Sequence, residues 1–242
     1  MTMHYRSAGR TDTGHVRRHN EDAILDAPTQ GIWAVADGLG GHAAGDVASR
    51  MVVEGLRALP RVADIADRMD AIEDELLRVN HALRRMAREQ RVDAIASTVV
   101  LLVHVPGALL CGWVGDSRAY GFEHGTLRLL TRDHVHGDRE DETRFGAGPA
   151  PSKAGVLTRA VGAEDRLFVD WKVIPCRPGM AFVLCSDGIN KELSDAEIEA
   201  CCRRDGEPAT LLASLVDGAL ARAGRDNVSA VVVRIDDSEE TR

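Results

Sequence analysis

Apolar residues along this chain fall in short, dense runs divided by polar turns, and two longer stretches carry them at helical spacing instead. The run Gly31 to Ala36 reads as a strand ending at Asp37-Gly38, with a glycine-rich turn after it. Asp46 to Leu59 then reads as a helix stopped at Pro60, and a second helix is predicted from about Ala66 to Arg88. In that helix Met69, Ile72, Leu76, Val79, Leu83 and Met86 step by three or four residues, so they form one apolar stripe suited to core packing.

Strand-like runs follow at Ser97 to Val105 and Ala108 to Val114, and the Pro106-Gly107 pair between them predicts a hairpin. Tyr120 to Phe122 and Leu127 to Leu130 extend the antiparallel series around Gly125. Asp133 to Gly155 is charged, broken by glycine and proline and without apolar periodicity, which predicts a mobile surface loop. Strands resume near Leu167 to Ile174 and Met180 to Ser186, helices near Asp195 to Arg203 and Pro208 to Ala223, and a last strand at Val228 to Ile235. Paired helices, hairpin-spaced strands and then two more helices argue for antiparallel sheets covered by helices, because a parallel sheet needs strict β-α alternation. The expected fold class is therefore α+β, in a single domain without repeats.

Charge narrows the chemistry. There are 38 acidic against 30 basic side chains, a formal charge of -8, and no basic block, so nucleic acid is not an expected partner. Apolar runs such as Val99 to Val103 are too short to span a bilayer, and Met1 to Arg10 has no apolar signal core, so the expected location is cytoplasmic with no membrane partner. The five cysteines form no Cys-x-x-Cys pair and are expected to be reduced. Cysteine-dependent phosphate hydrolysis needs an arginine six positions after its cysteine. Here those positions hold Ser117, Phe182, Lys191, Glu207 and Pro208, which excludes that route.

The aspartates are more informative. Asp-Gly pairs occur at Asp37, Asp187, Asp205 and Asp217, and any one alone reads as a turn. Asp37 and Asp187 differ from the others because each closes an apolar strand, whereas Asp205 and Asp217 lie in polar or helical sequence. Asp116 likewise follows the run Leu109 to Val114, and Asp226 immediately precedes the last strand. Four strand-end carboxylates could converge, but two of them about 4 Å apart repel by roughly 4 kcal/mol at an effective dielectric near 20. Bound cations remove that cost. Oxygen-only ligation suits Mg²⁺ or Mn²⁺ rather than structural zinc, and two such ions can clamp a transferring phosphoryl group. The segment Gly14 to Asp22 adds Arg17, whose planar guanidinium matches phosphate oxygens.

These pieces occur in an order that resembles the PP2C-type (PPM) family of metal-dependent protein serine/threonine phosphatases, in its compact bacterial form. The matching segments are Gly14 to Asp22, Val35 to Gly41, Ser97-Thr98, Gly112 to Tyr120, Thr131 to His134, Leu157 to Gly162, Cys185 to Ile189 and Asp226 to Val228, within a span of about Ser7 to Ile235. The resemblance implies one domain over residues 1–242, built as a four-layer α-β-β-α sandwich of two antiparallel sheets flanked by helices. It implies hydrolysis of phosphoserine and phosphothreonine by a water bridging two Mn²⁺ or Mg²⁺ ions. Asp37 would bridge the two ions, the carbonyl of Gly38 would bind one, and Asp187 and Asp226 the other. Glu21 and Asp22 would act through metal-bound waters, Arg17 would hold the phosphate, and Asp116 with Asp187 would take a weaker third ion. Leu39 stands where some relatives carry a histidine proposed to protonate the leaving oxygen, and His42 lies three residues further on, so the general acid is left unassigned. Residues 133–153 correspond to the family's flap. A monomer acting on phosphoproteins, and opposing a bacterial serine/threonine kinase, is the expected setting, with a type VI secretion kinase as one candidate.

Two other classes fit parts of the sequence. Gly38 to Ala43 fits a loose dinucleotide-binding pattern, but the helix-Pro60-helix sequence after it leaves no second parallel strand for the ribose. A non-catalytic module of the same fold would lose ligands or the arginine, and every such position is filled here.

Overall fold

The computed structural model describes residues 3–40, 44–136 and 156–236. Strands β1 (His4–Asp12), β2 (Asp22–Ala27) and β3 (Ile32–Gly40) lead into helices α1 (Gly45–Ala58) and α2 (Ile65–Gln90). Strands β4 (Ile95–Ser97), β5 (Val99–Val105), β6 (Ala108–Val114), β7 (Arg118–Glu123), β8 (Thr126–Leu129), β9 (Asp170–Pro175) and β10 (Ala181–Cys185) follow. Helices α3 (Asp187–Asn190), α4 (Asp195–Arg204) and α5 (Pro208–Arg222) precede β11 (Val228–Asp236). One sheet runs β1-β11-β10-β7-β8 and the other β2-β3-β5-β6-β9, with β4 paired to β3. Every pairing between these strands is antiparallel, which removes the dinucleotide-binding alternative.

The two-residue period of the strands sorts their side chains into three apolar layers. Ile32, Ala34, Leu101, Val103 and Leu110 face α1 and α2, where they meet Val52, Leu56, Ile72, Leu76 and Leu83. Trp33, Val35, Val100, Leu102 and Cys111 point the other way, against Phe182, Leu184, Val231 and Val233 of the opposite sheet. The far faces of β10 and β11, through Val183, Cys185, Ala230 and Val232, pack on Ile198, Leu211, Leu215 and Val216 of α4 and α5. Central strands buried on both faces explain why the sequence shows continuous apolar runs instead of alternation. The α+β class and the helix–sheet–sheet–helix layering are those expected.

Several boundaries differ from expectation. Strand β3 does not end at Asp37-Gly38 but continues to Gly40, because β4 pairs with Gly38 to Gly40. The predicted strand Ser97 to Val105 is two elements with Thr98 between them. The strand expected from Leu167 begins only at Asp170. Strands β1 and β2 and the four-residue helix α3 were not anticipated. Residues 137–155 of the expected loop, and His42, lie outside the described residues. No helix among the described residues is long and apolar enough to cross a membrane.

Candidate metal and phosphate site

All of the singled-out aspartates except Asp205 and Asp217 arrive at one end of the sandwich, carried there by both sheets. Asp22 opens β2 and pairs in register with Asp37 on β3. From the opposite sheet, Asp187 begins α3 directly after β10, and Asp226 stands just before β11. Ser186 ties the two sheets together: its hydroxyl donates to Asp22 Oδ2 at 2.8 Å, and its backbone N–H donates to Ser229 O at 3.0 Å. Asp116 enters through the turn between β6 and β7. Asp205 and Asp217 pair instead with Arg204 and Arg10, away from this centre, as their ordinary sequence context predicted.

Backbone contacts set these positions. The Asp37 N–H donates to Thr98 Oγ1 at 3.1 Å, and its carbonyl accepts from the Thr98 N–H at 2.9 Å. Asn227 is buried and holds the opposite wall: its Oδ1 accepts from the Glu21 N–H at 2.9 Å, and its Nδ2 donates to the carbonyls of Thr13 and His19. The N-terminal segment bearing Arg17 and Glu21 is thereby fixed to the residue beside Asp226. The Asp116 turn is held by the segment that follows β8. His134 donates its N–H to Gly115 O and accepts the Gly115 N–H on Nδ1, both at 3.0 Å, which puts its ring proton on Nε2, 3.1 Å from Asp170 Oδ2. Arg118 adds a fork onto Asp133.

The two Asp-Gly pairs here are not turn signals, since neither Gly38 nor Gly188 has positive φ. A Cβ on Gly38 would stand 2.0 Å from Gly45 O, and one on Gly188 would stand 2.0 Å from Asn227 O. Glycine is required because two backbones meet at each point.

The electrostatics are those of crowded acids. Asp37 lies deep in the centre, and its carboxyl is held well above the usual range, first by burial and then by the charges of Asp22, Asp187, Asp116 and Asp226. Burial pushes Asp22 up to about 6, outweighing hydrogen bonds from Ser229 and Ser186, with Asp187 and Asp226 adding to the rise. Asp116 is also pushed up to about 6, by burial and by Asp187, while Lys191 opposes the shift. The cations of the site are already engaged. Arg17 reaches Asp226 through two contacts, Nε to Oδ1 at 2.9 Å and Nη2 to Oδ2 at 3.0 Å, and Lys191 pairs with Asp187 Oδ2. Arg17 pairs with Asp226 and not with its sequence neighbours Glu21 or Asp22, because β11 delivers the Asp226 carboxylate beside the N-terminal segment.

Among the described residues no three of these carboxylates are drawn round a single point. Oxygens of Asp22, Asp187 and Asp226 turn instead toward Ser186, Lys191 and Arg17 respectively. The donor set nevertheless fits hard cations. It is all oxygen, its charges raise one another, and both Asp22 Oδ1 and Asp187 Oδ1 are buried without a hydrogen-bond partner. Thiol chemistry has no place in the site: all five cysteines are free, and burial pushes Cys111, Cys185 and Cys202 up to about 12.

Thr98, Ser186, Lys191 and Asn227 are functional positions without a predicted role from sequence, although Ser97-Thr98 and Asp226 to Val228 lie in the matching segments. A polar residue inside or beside an apolar strand run was the available signal for Thr98 and Ser186. The four-residue spacing of Asp187 and Lys191 was the signal for the ion pair.

An α+β sandwich with a carboxylate centre across the ends of both sheets defines the class of metal-dependent phosphatases. The sequence model of the family described as "Protein phosphatase 2C" matches residues 12–233. The "Serine/threonine phosphatase stp" of Listeria welshimeri is 32% identical over 235 residues, 93% of each chain. Among solved structures, "PppA, a key regulatory component of T6SS in Pseudomonas aeruginosa" superposes with a TM-score of 0.88 at 38% identity, covering 96% of this chain and 98% of that one. The catalytic domain of the serine/threonine protein phosphatase PstP in complex with two manganese ions gives 0.84 at 29% identity, covering 98% of this chain and all of that one. The chain belongs to the protein phosphatase 2C family, a phosphoprotein phosphatase of the serine/threonine class.

Proposed function

We propose that the whole chain acts as one catalytic domain that removes phosphate from phosphoserine and phosphothreonine, with Mn²⁺ or Mg²⁺ held by Asp37, the Gly38 carbonyl, Asp187 and Asp226. Glu21 and Asp22 would support these ions through water, and Asp116 with Asp187 would take a weaker third one. The observation that carries this reading is the gathering of five mutually repelling aspartates at one end of the sandwich, with two buried carboxylate oxygens, on Asp22 and Asp187, that have no hydrogen-bond partner. When bound, a pair of divalent ions supplies an activated water and charge neutralisation for an in-line displacement at phosphorus.

The protein's own part is positioning. Arg17 is half exposed, and its partner Asp226 is a quarter exposed, so their pair is worth at most about 1 kcal/mol and Arg17 can turn from Asp226 to a phosphate at little cost. Its fork then fixes two phosphate oxygens and with them the line of attack. Asn227 and Ser186 keep the Arg17 segment and Asp22 in register with Asp187 and Asp226. The likeness to PppA, a regulatory component of T6SS, supports a type VI secretion setting, in which this chain would oppose a serine/threonine kinase.

The test is phosphate release from a phosphothreonine peptide. Release is expected with Mn²⁺, none with excess EDTA, and no loss after thiol alkylation. Asp187→Asn is expected to abolish turnover with an unchanged circular dichroism spectrum. Turnover in EDTA, or wild-type rates in Asp187→Asn, would sink the reading.

A further inference from the structure

Asp187 divides its carboxylate between two environments. Oδ1 is buried with no hydrogen-bond partner, while Oδ2 is taken by the ammonium of Lys191, one helical turn later at the end of α3. The backbone reinforces the arrangement, since the Lys191 N–H donates to Asp187 O at 2.9 Å. Ordinary four-residue pairs on helices join two exposed side chains and contribute only a few tenths of a kcal/mol. This pair differs: the Asp187 side chain is 12% exposed and belongs to the acidic centre, and only Lys191 reaches solvent, at 58%. Burial works against the charge on Lys191, yet its pKa is raised, because the bond to Asp187 and the charges of Asp187, Asp226 and Asp116 outweigh that burial. The ammonium therefore lies on Asp187, one of the two carboxylates of the weaker cation position.

We propose that Lys191 is a built-in cation at the Asp116–Asp187 edge of the centre, where it competes with a divalent ion for Asp187 Oδ2 and so weakens the third metal position. The proposal rests on the metal-centre reading above. It concerns only the outer edge of that centre, because Asp187 Oδ1 stays available for the inner ions. The physical ground is simple: one oxygen cannot serve an ammonium and a hard divalent cation at once, and a fixed positive charge a few Å away repels a second one.

Calorimetric titration of the full chain with Mn²⁺, in chelator-treated buffer, tests this without reference to activity. Wild-type protein is expected to show two strong binding steps and a weak last one. Lys191→Met, at a half-exposed side chain, is expected to tighten the last step by about tenfold or more. Lys191→Arg, which keeps the charge, is expected to match wild type. Adding Asp116→Asn to Lys191→Met is expected to remove the tightened step, which locates it. Superimposable isotherms for wild type and Lys191→Met would overturn the proposal while leaving the two strong steps, and the metal-centre reading, intact. Absence of any Mn²⁺ binding by wild type would overturn both. An unchanged Mn²⁺ isotherm with weaker binding of inorganic phosphate in Lys191→Met would also overturn it, and would make Lys191 a phosphate contact.

Discussion

Asp22 and Asp116, both pushed up to about 6, carry a definite consequence for stability. Their carboxyls ionise near 3.8 in an unfolded chain, so between about pH 4 and 6 the folded protein binds more protons than the unfolded one, and stability falls as pH rises through that window. In EDTA the melting temperature is expected to drop from pH 4.5 to pH 7 by this mechanism. A divalent ion reverses the cost, since it binds the ionised form and competes with protons. Mn²⁺ is therefore expected to raise the melting temperature more at pH 7 than at pH 5, approaching about 2.7 kcal/mol of stabilisation at a hundredfold excess over its dissociation constant. Thermal scans at the two pH values check this, and an equal shift at both would contradict it. At this scale much was legible. Asp37, Asp116, Asp187 and Asp226 stood out because each terminates or precedes an apolar strand. The partner of Arg17 was not legible, because it meets Asp226 across the length of the chain.

At the scale of elements, the glycines that follow Asp37 and Asp187 do more than permit a turn. Gly188 lies in the short helix α3, where alanine has the higher intrinsic propensity, so Gly188→Ala would stabilise the protein if helix formation were the issue. The structure predicts the opposite sign. The new Cβ would sit 2.0 Å from Asn227 O, and the variant is expected to lose about 2–4 kcal/mol as the α3–β11 approach is forced apart, measured by urea unfolding. Unchanged or increased stability would refute the close approach. Strong apolar runs marked β3, β5, β6, β10 and β11, and helical spacing with Pro60 and Pro208 marked α1, α2 and α5. Strands β1 and β2 escaped notice for a physical reason. Strand β1, an edge strand with mostly polar residues, is a strand because β11 offers it a full ladder from Asp12↔Val228 to His4↔Asp236. Its local sequence does not demand extended structure. Strand β2 opens with Asp22, so its first residue reads as chemistry before it reads as sheet.

Across the whole molecule, stability and site geometry depend on the middle apolar layer, because the carboxylates come from both sheets. Phe182 is fully buried in that layer. Phe182→Ala is expected to cost about 3–5 kcal/mol, a fall in melting temperature on the order of 10 °C, and to weaken Mn²⁺ binding as well, since Asp187 and Asp22 lose their common frame. Calorimetry reads both effects. Full Mn²⁺ affinity in the destabilised variant would show that the sheets hold the centre independently of their packing. The sequence by itself determined the α+β class, the central strands, the long helices, the exclusion of cysteine chemistry and the set of acidic residues, because each is written in local periodicity, spacing or residue type. Only the tertiary structure decided that Asp22 bonds Ser186, the residue before Asp187, and that Asn227 clamps the Arg17 segment. Those contacts span 164 and 206 residues of sequence, and they exist only once two sheets have packed face to face and brought their ends together.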